Sequence, residues 1–213
     1  MSAQGEVLKR YPQRGLGRRH ALALAVLTPL AACQSAPPTR TLGGEDAAEL
    51  ARVEAYLNSL RTLHARFEQV SSNGTMNVGT LWMQRPGHLR LQYEPPSPLT
   101  LIASNGTLLL YNASTEATTT MPLSRSPLGI LLADEVTLSG PVTVTGVRRL
   151  PGQLQVSIVR TAEPSQGSLT LLLTAPALSL RALRIADAHG QATDFRLFQL
   201  HSGVNIDPSI FRL

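Results

Sequence analysis

The sequence of 213 residues lacks most of what an enzyme needs, with one cysteine, Cys33, and no recognisable catalytic motif. A single cysteine cannot form a disulfide within the chain. None of the five histidines stands at a metal-ligand spacing from another histidine, a cysteine or an acidic residue. The sequence also lacks a Gly-x-Ser-x-Gly elbow, a phosphate-binding glycine loop and a dinucleotide fingerprint. We therefore predict that the protein is not an enzyme and has no metal site and no cofactor.

Basic charge is scarce outside the N-terminus. The formal net charge is +5, but residues 1–32 hold five basic residues against the single acid Glu6, so residues 33–213 carry only +1. Nucleic-acid-binding domains usually show a basic stripe with interleaved aromatic residues, and aromatic residues make up only 4% of this chain. We therefore expect a near-neutral domain that binds no nucleic acid.

Residues 1–32 have the form of an export signal. Arg18 and Arg19 precede the apolar run HALALAVLTPL, which is too short to span a membrane as a mature helix. Small residues follow, as a signal peptidase requires. The stretch Leu30–Cys33 resembles a bacterial lipobox, whose cysteine is lipidated, although an ordinary cleavage site is the alternative. We predict a signal peptide over 1–32, with Cys33 as the lipidation candidate.

The next segments predict a linker and then a helix. Residues 33–44 contain proline, threonine and glycine without periodicity, which is typical of a flexible linker. In residues 45–67, apolar side chains recur at spacings of three and four, and acidic residues occupy the first turns, where the helix dipole favours them. From Ala65 on, the apolar period changes to two, as in strands. Residues 45–213 therefore form the predicted folded domain.

Most of the remaining chain predicts antiparallel strands. Leu89, Leu91 and Tyr93 share one strand face, and Asn105–Gly106 is a strong hairpin signal. A short helix is predicted where SPLGILL, from Ser126, breaks the alternation. So many consecutive strands indicate a mainly β fold, a large curled sheet or barrel with two helices on its concave side. Uncovered apolar surface there would be a binding site, whereas covered surface would be an ordinary core.

Several segments resemble the LolA family of periplasmic carriers of outer-membrane lipoproteins. The likeness over about 45–134 lies in LWMQRPGHLRLQY, SNG, LLLYN and SPLGILL, and RLFQLHSGVNIDPSIF resembles the family's last strands. Residues 136–190 match in pattern only. The resemblance implies an incomplete antiparallel β-barrel of about 11 strands. It also implies that the N-terminal helix and the short internal helix form a lid over the concave face.

The resemblance also implies roles for individual residues. Taken alone, Arg85 would be a surface residue of a turn; within the family motif it corresponds to the arginine that holds the lid, a role that suits a rigid fork of five donors. Pro86 and Gly87 complete its turn. The implied acyl-binding cavity is lined by Trp82, Leu89, Leu91, Tyr93, Leu101, Leu109 and Tyr111. The implied lid residues are Leu50, Val53, Leu57, Leu60, Leu128, Ile130, Leu131 and Leu132.

A family member would act as a monomer in the periplasm. It would receive triacylated lipoproteins from an inner-membrane ABC-type release complex and yield them to an outer-membrane acceptor or to the membrane itself. Two features differ from the family carriers: the lipobox at Leu30–Cys33, and the end of the chain at Leu213 directly after the last strand. Both point toward the lipid-anchored acceptor LolB. That acceptor, and a structural envelope lipoprotein without a ligand, are the alternatives.

Overall fold

The computed structural model describes residues 44–213, which form eleven strands and two α-helices. The predicted signal peptide, Cys33 and residues 34–43 of the predicted linker lie outside the described residues. Within 44–213, no helix has both the length and the apolar character needed to cross a membrane. In chain order the elements are α1 (Gly44–Ser59), β1 (Thr62–Ser71), β2 (Met76–Gln84), β3 (His88–Tyr93), β4 (Leu99–Ser104), β5 (Thr107–Asn112), β6 (Ala117–Pro122), α2 (Leu128–Leu131), β7 (Val142–Leu150), β8 (Gln153–Arg160), β9 (Gly167–Thr174), β10 (Ser179–Asp187) and β11 (Ala192–Ser202).

The strands form one antiparallel sheet in the order β6-β5-β4-β3-β2-β1-β11-β10-β9-β8-β7. Most neighbours follow each other along the chain, whereas the pair of β1 with β11 joins the first strand to the last. The edge strands β6 and β7 do not pair, so the sheet does not close into a barrel. The predicted fold, a mainly β, incomplete antiparallel barrel of about 11 strands, is confirmed.

One face of the sheet, which we call the inner face, packs against α1 and α2. Buried residues alternate along most of the central strands, as Leu154 and Val156 do in β8, because successive side chains of a strand point to opposite faces. From α1, the side chains of Leu50, Val53 and Leu57 complete the same apolar cluster. The core therefore lies between the sheet and the two helices, which cover the inner face as predicted.

The first helix is shorter than predicted, because α1 ends at Ser59 and Thr62 already begins β1. Leu60 and Leu63 fit the spacing of a helix as well as the alternation of a strand, which is why the pattern misled. The strand forms because its backbone pairs on both sides, with β2 and with β11. Leu60 is thus buried just beyond the helix, and Leu132 likewise follows the end of α2.

Candidate functional site

Arg85 lies in the turn between β2 and β3 and is buried, with 5% of its surface exposed. Its Nη2 donates to the carbonyl oxygens of Leu57 (2.9 Å) and Asn58 (3.1 Å), and its Nε donates to that of Leu60 (3.2 Å). Its Nη1 makes two longer bonds, to the side-chain oxygen of Asn58 (3.3 Å) and to the carbonyl oxygen of Ala133 (3.4 Å). One side chain therefore joins the end of α1 to the segment that follows α2.

The acceptors around Arg85 explain why an arginine suits this position. The last carbonyls of a helix have no partner within the helix, and a cation is favourable at that end of the helix dipole. Burial lowers the pKa of Arg85 and the charge of Arg61 lowers it further, whereas Asp134 raises it. A guanidinium stays charged despite such shifts. The same turn adds a backbone bond, from the N–H of Gly87 to the carbonyl oxygen of Leu132 (2.8 Å).

Two polar side chains of α1 bind the segment 133–138. Asn58 accepts the N–H of Val136 through Oδ1 and donates to its carbonyl oxygen through Nδ2, both at 2.9 Å. One turn earlier, Glu54 Oε2 accepts the N–H of Leu138 at 2.8 Å. Neither side chain belongs to a motif or a periodic pattern in the sequence, so neither was predicted. Helix α1, α2 and this segment form one connected cover over the inner face.

The space between this cover and the inner face is apolar and nearly filled. A cavity of about 20 Å³ remains, which is close to the space that one water molecule needs. The two helices therefore cover the leucine-rich face, and this cavity is too small for an acyl chain. The cavity is lined by Leu63, Leu81, Met83, Leu89, Leu91, Leu128, Leu131, Leu132, Leu180, Leu183, Phe195 and Leu197.

The structure brings together most of the predicted apolar residues. Leu89 and Leu91 line the cavity from the sheet, opposite three leucines of the α2 region. Tyr93 is buried on the same face, and burial raises the pKa of its hydroxyl, which donates to Gln69. Leu101 is half-buried beside Leu91. The remaining predicted lid residues are buried in the same core: Leu50, Val53, Leu57, Leu60 and Ile130.

Trp82 does not face the cavity, so its predicted place in the lining is wrong. It stands between Leu81 and Met83, which both point inward, and the alternation of a strand therefore turns Trp82 to the outer face. There its ring centroid lies 5.5 Å from that of His64. Trp82 is a packing residue of the outer surface.

Leu109 and Tyr111 also lie on the outer face, which corrects the prediction for both. The two-residue turn at Asn105–Gly106 pairs Leu101 with Leu110 and Ile102 with Leu109. Since directly paired residues share a face, the inward direction of Leu101 sends Leu110 inward and Leu109 outward. The hairpin signal was visible in the sequence, but three consecutive leucines concealed which of them face inward.

Seven lining residues were not predicted, although part of the signal was present. Leu81 and Met83 flank Trp82 at the strand period of two, so the inward set of β2 could have been read from the sequence. In β10 the register shifts between Leu180 and Ala182, and this irregularity breaks the alternation on which such a prediction rests. The residues missed are Leu63, Leu81, Met83, Leu180, Leu183, Phe195 and Leu197.

Comparison with known proteins gives a consistent result over most of the chain. The model of the family described as outer membrane lipoprotein carrier protein LolA matches residues 58–213. The outer-membrane lipoprotein carrier protein of Methylococcus capsulatus is 27% identical over 169 residues, which cover 76% of this chain and 81% of that protein. The protein of the same name from Alkalilimnicola ehrlichii is 29% identical over 206 residues, 89% of each chain.

A solved structure of a LolA superfamily protein from Nitrosomonas europaea aligns with 77% of this chain and 97% of its own length, at a TM-score of 0.45 and 6% identity.

The family match begins at Asn58, in the last turn of α1, and continues to Leu213. It therefore includes the Arg85 turn, α2 and the whole sheet.

Proposed function

This chain belongs to the LolA family of outer membrane lipoprotein carrier proteins, and on that premise we propose that it binds the acyl chains of lipoproteins between its inner face and its helical cover. The observation that carries this proposal is the apolar cavity between the inner face and the cover. We call this cavity and its lining the apolar seam, and its lining consists of leucine, methionine and phenylalanine alone. An acyl chain gains about 0.8 kcal/mol for each methylene removed from water. Transfer from a membrane to this seam is then near neutral, as reversible carriage requires.

Loading requires the cover to move, because the cavity between the cover and the inner face holds only about 20 Å³. The side chains of Leu128, Leu131 and Leu132 line this cavity from the cover, and we propose that an acyl chain takes their place. We propose that Arg85 is the latch of this movement. Its hydrogen bonds to both parts of the cover can break without any chemical step, and the acyl chain would replace the leucines against the sheet.

The proposed cycle places the protein between two membranes. It would receive triacylated lipoproteins from an inner-membrane ABC-type release complex and carry them across the periplasm to an outer-membrane acceptor. The export signal predicted over 1–32 supports this location. The low net charge of residues 33–213 suits a carrier that must leave either membrane surface again.

A loading experiment tests the proposal. The purified protein is mixed with a radiolabelled triacylated lipoprotein in detergent, the detergent is removed, and the soluble fraction is separated by size. We expect a soluble complex with the intact protein and with Trp82→Leu, because Trp82 lies on the outer face. A protein with native circular dichroism that leaves all the lipoprotein in the aggregate would contradict acyl binding.

The filled interior favours a second candidate, a structural envelope lipoprotein whose seam is simply its core. This candidate predicts that the protein extracted from cells carries no lipid and never binds any in the loading experiment. A third candidate, the lipid-anchored acceptor, depends on Cys33, and metabolic labelling with palmitate that is lost in Cys33→Ala would favour it. The intact mass of the mature protein reports cleavage and lipidation together.

A further inference from the structure

The N-terminal end of α1 is held by a second arginine. Arg149 forms ion pairs with two acidic residues of α1: its Nη2 lies 2.7 Å from Asp46 Oδ1, and its Nε lies 2.7 Å from Glu49 Oε2. Arg149 belongs to the edge strand β7, and it pairs with Leu154, which is buried on the inner face. Its side chain therefore leaves the sheet on the side where α1 lies. The two carboxylates raise the pKa of Arg149, mainly through its interaction with Asp46.

The length of α1 matches the distance that it must cross. Its 16 residues span about 24 Å at 1.5 Å per residue. Its C-terminal end continues into β1 at the centre of the sheet, and five strand spacings separate β1 from β7, again about 24 Å at 4.7–4.9 Å each. Helix α1 therefore reaches from the middle of the sheet to its edge, where Arg149 lies.

The covalent link to β1 makes the two ends of α1 unequal. The C-terminal end cannot leave the sheet, so any opening of α1 must swing its N-terminal end. Midway, Arg52 donates to the carbonyl oxygen of Pro176 (2.7 Å), and Tyr56 accepts the N–H of Leu180 (2.8 Å). In each of those contacts at least one partner is uncharged, so neither is an ion pair. Both contacts lie closer to the fixed end of α1 than Arg149 does. The ion pairs of Arg149 act at the greatest distance from the pivot.

We propose that Arg149, with Asp46 and Glu49, is a second latch of the cover, which weakens as ionic strength rises. This inference rests on the proposed function, because it assumes that the cover opens to admit cargo. Arg149 is a positioning residue that touches no acyl chain. Its side chain is 47% exposed, and charges at the surface are screened over about 10 Å at 0.1 M salt and about 3 Å at 1 M. The bonds of the buried Arg85 to neutral carbonyls have no such dependence.

Distance measurements between spin labels on α1 and at the sheet edge test the latch. Labels at the exposed positions Ala48 and Gln153, in the mature protein carrying Cys33→Ser, report how far the N-terminal end of α1 lies from the edge. We expect the separated population to grow with salt in the parent. In Arg149→Gln it should be about two- to thirty-fold larger at low salt, as for the loss of two partly exposed ion pairs, and nearly independent of salt. Arg149→Lys, which keeps the charge, should restore part of the salt dependence.

The control is an ion pair of the same kind that does not touch the cover. Arg184 binds Asp194 at 2.6 and 2.8 Å on the outer face, so Arg184→Gln should leave the label distances as in the parent. An unchanged separated population in Arg149→Gln would overturn the inference. Because this measurement uses no lipid, its failure is separate from failure of acyl binding, which the loading experiment reports for the same parent protein.

Discussion

The two faces of the sheet differ in the side chains that they carry. The inner face is mostly apolar and lies under the cover, whereas the outer face carries ion pairs, histidines and the single tryptophan. The same strands supply both faces, since successive residues alternate between them. The inner face therefore holds the stability and the proposed cargo surface together, and substitutions on the outer face should leave both largely intact.

The largest loss of stability is expected when one of two neighbouring leucines of β9 is replaced. Leu171 is fully buried on the inner face, and Leu172 is half-buried on the outer face. Leu171→Ala should lower the free energy of unfolding by about 2–5 kcal/mol, because it leaves a cavity in the core. Leu172→Ala should cost clearly less. Urea unfolding followed by circular dichroism measures both, and equal losses would show that the two faces contribute alike.

A smaller effect is expected from two arginines that both bind backbone carbonyls. Arg85→Leu leaves the carbonyl oxygens at the end of α1 without partners, which costs about 1–3 kcal/mol. Amide exchange in α1 should rise and transfer of cargo should fall, since the cover closes less firmly. The matched variant is Arg90→Leu. Arg90 donates to the carbonyl oxygens of Ile210 (3.0 Å) and Arg212 (2.8 Å) on the outer side, so its loss should loosen only the C-terminal segment.

If Arg85→Leu delivers cargo to acceptor membranes as fast as the parent, the latch role is wrong. If Arg90→Leu raises exchange in α1 as much as Arg85→Leu does, the two faces are coupled rather than separate. Both outcomes can be read from mass-spectrometric hydrogen exchange and one transfer assay.

The outer ion pair of Arg184 and Asp194 should contribute little. Hydrogen bonding from Arg184 holds the pKa of Asp194 below its ordinary value. The stabilisation is therefore present above that ordinary value and lost as pH falls through the lowered one. Because both side chains are partly exposed, Asp194→Asn should cost only about 0.2–1 kcal/mol. Thermal unfolding between neutral and acid pH measures it, and a larger loss would contradict the assignment of stability to the inner face.

The fluorescence of Trp82 is expected to stay unchanged when cargo binds. Its ring lies on the outer face beside His64, so acyl chains brominated near their ends should leave its fluorescence unquenched. Tyr93→Trp in a Trp82→Phe background places the fluorophore on the inner face, where quenching should be strong. Quenching of Trp82 itself would mean that acyl chains bind the outer surface.

The sequence predicted the fold class and the Arg85 turn better than it predicted the cavity. Periodicity shows that Leu89 and Leu91 share a face, and the turn motif marks Arg85, because both signals are local. The facing of Leu109 depends on the register of a hairpin, and that of Leu180 depends on a bulge. The partners of Asn58 and Arg149 lie far along the chain, so only the folded arrangement reveals them.

The unpaired edges β6 and β7 have a consequence for how much the protein can hold. The diameter of a closed barrel is fixed by its strand number and stagger, so widening such a barrel breaks hydrogen bonds between strands. An open sheet can flatten or curl by small changes of twist while the hydrogen bonds between its strands stay intact. Under the proposed function, we expect such a sheet to adjust its curvature to one, two or three hydrocarbon tails, and the capacity of the molecule to depend on how far its cover lifts.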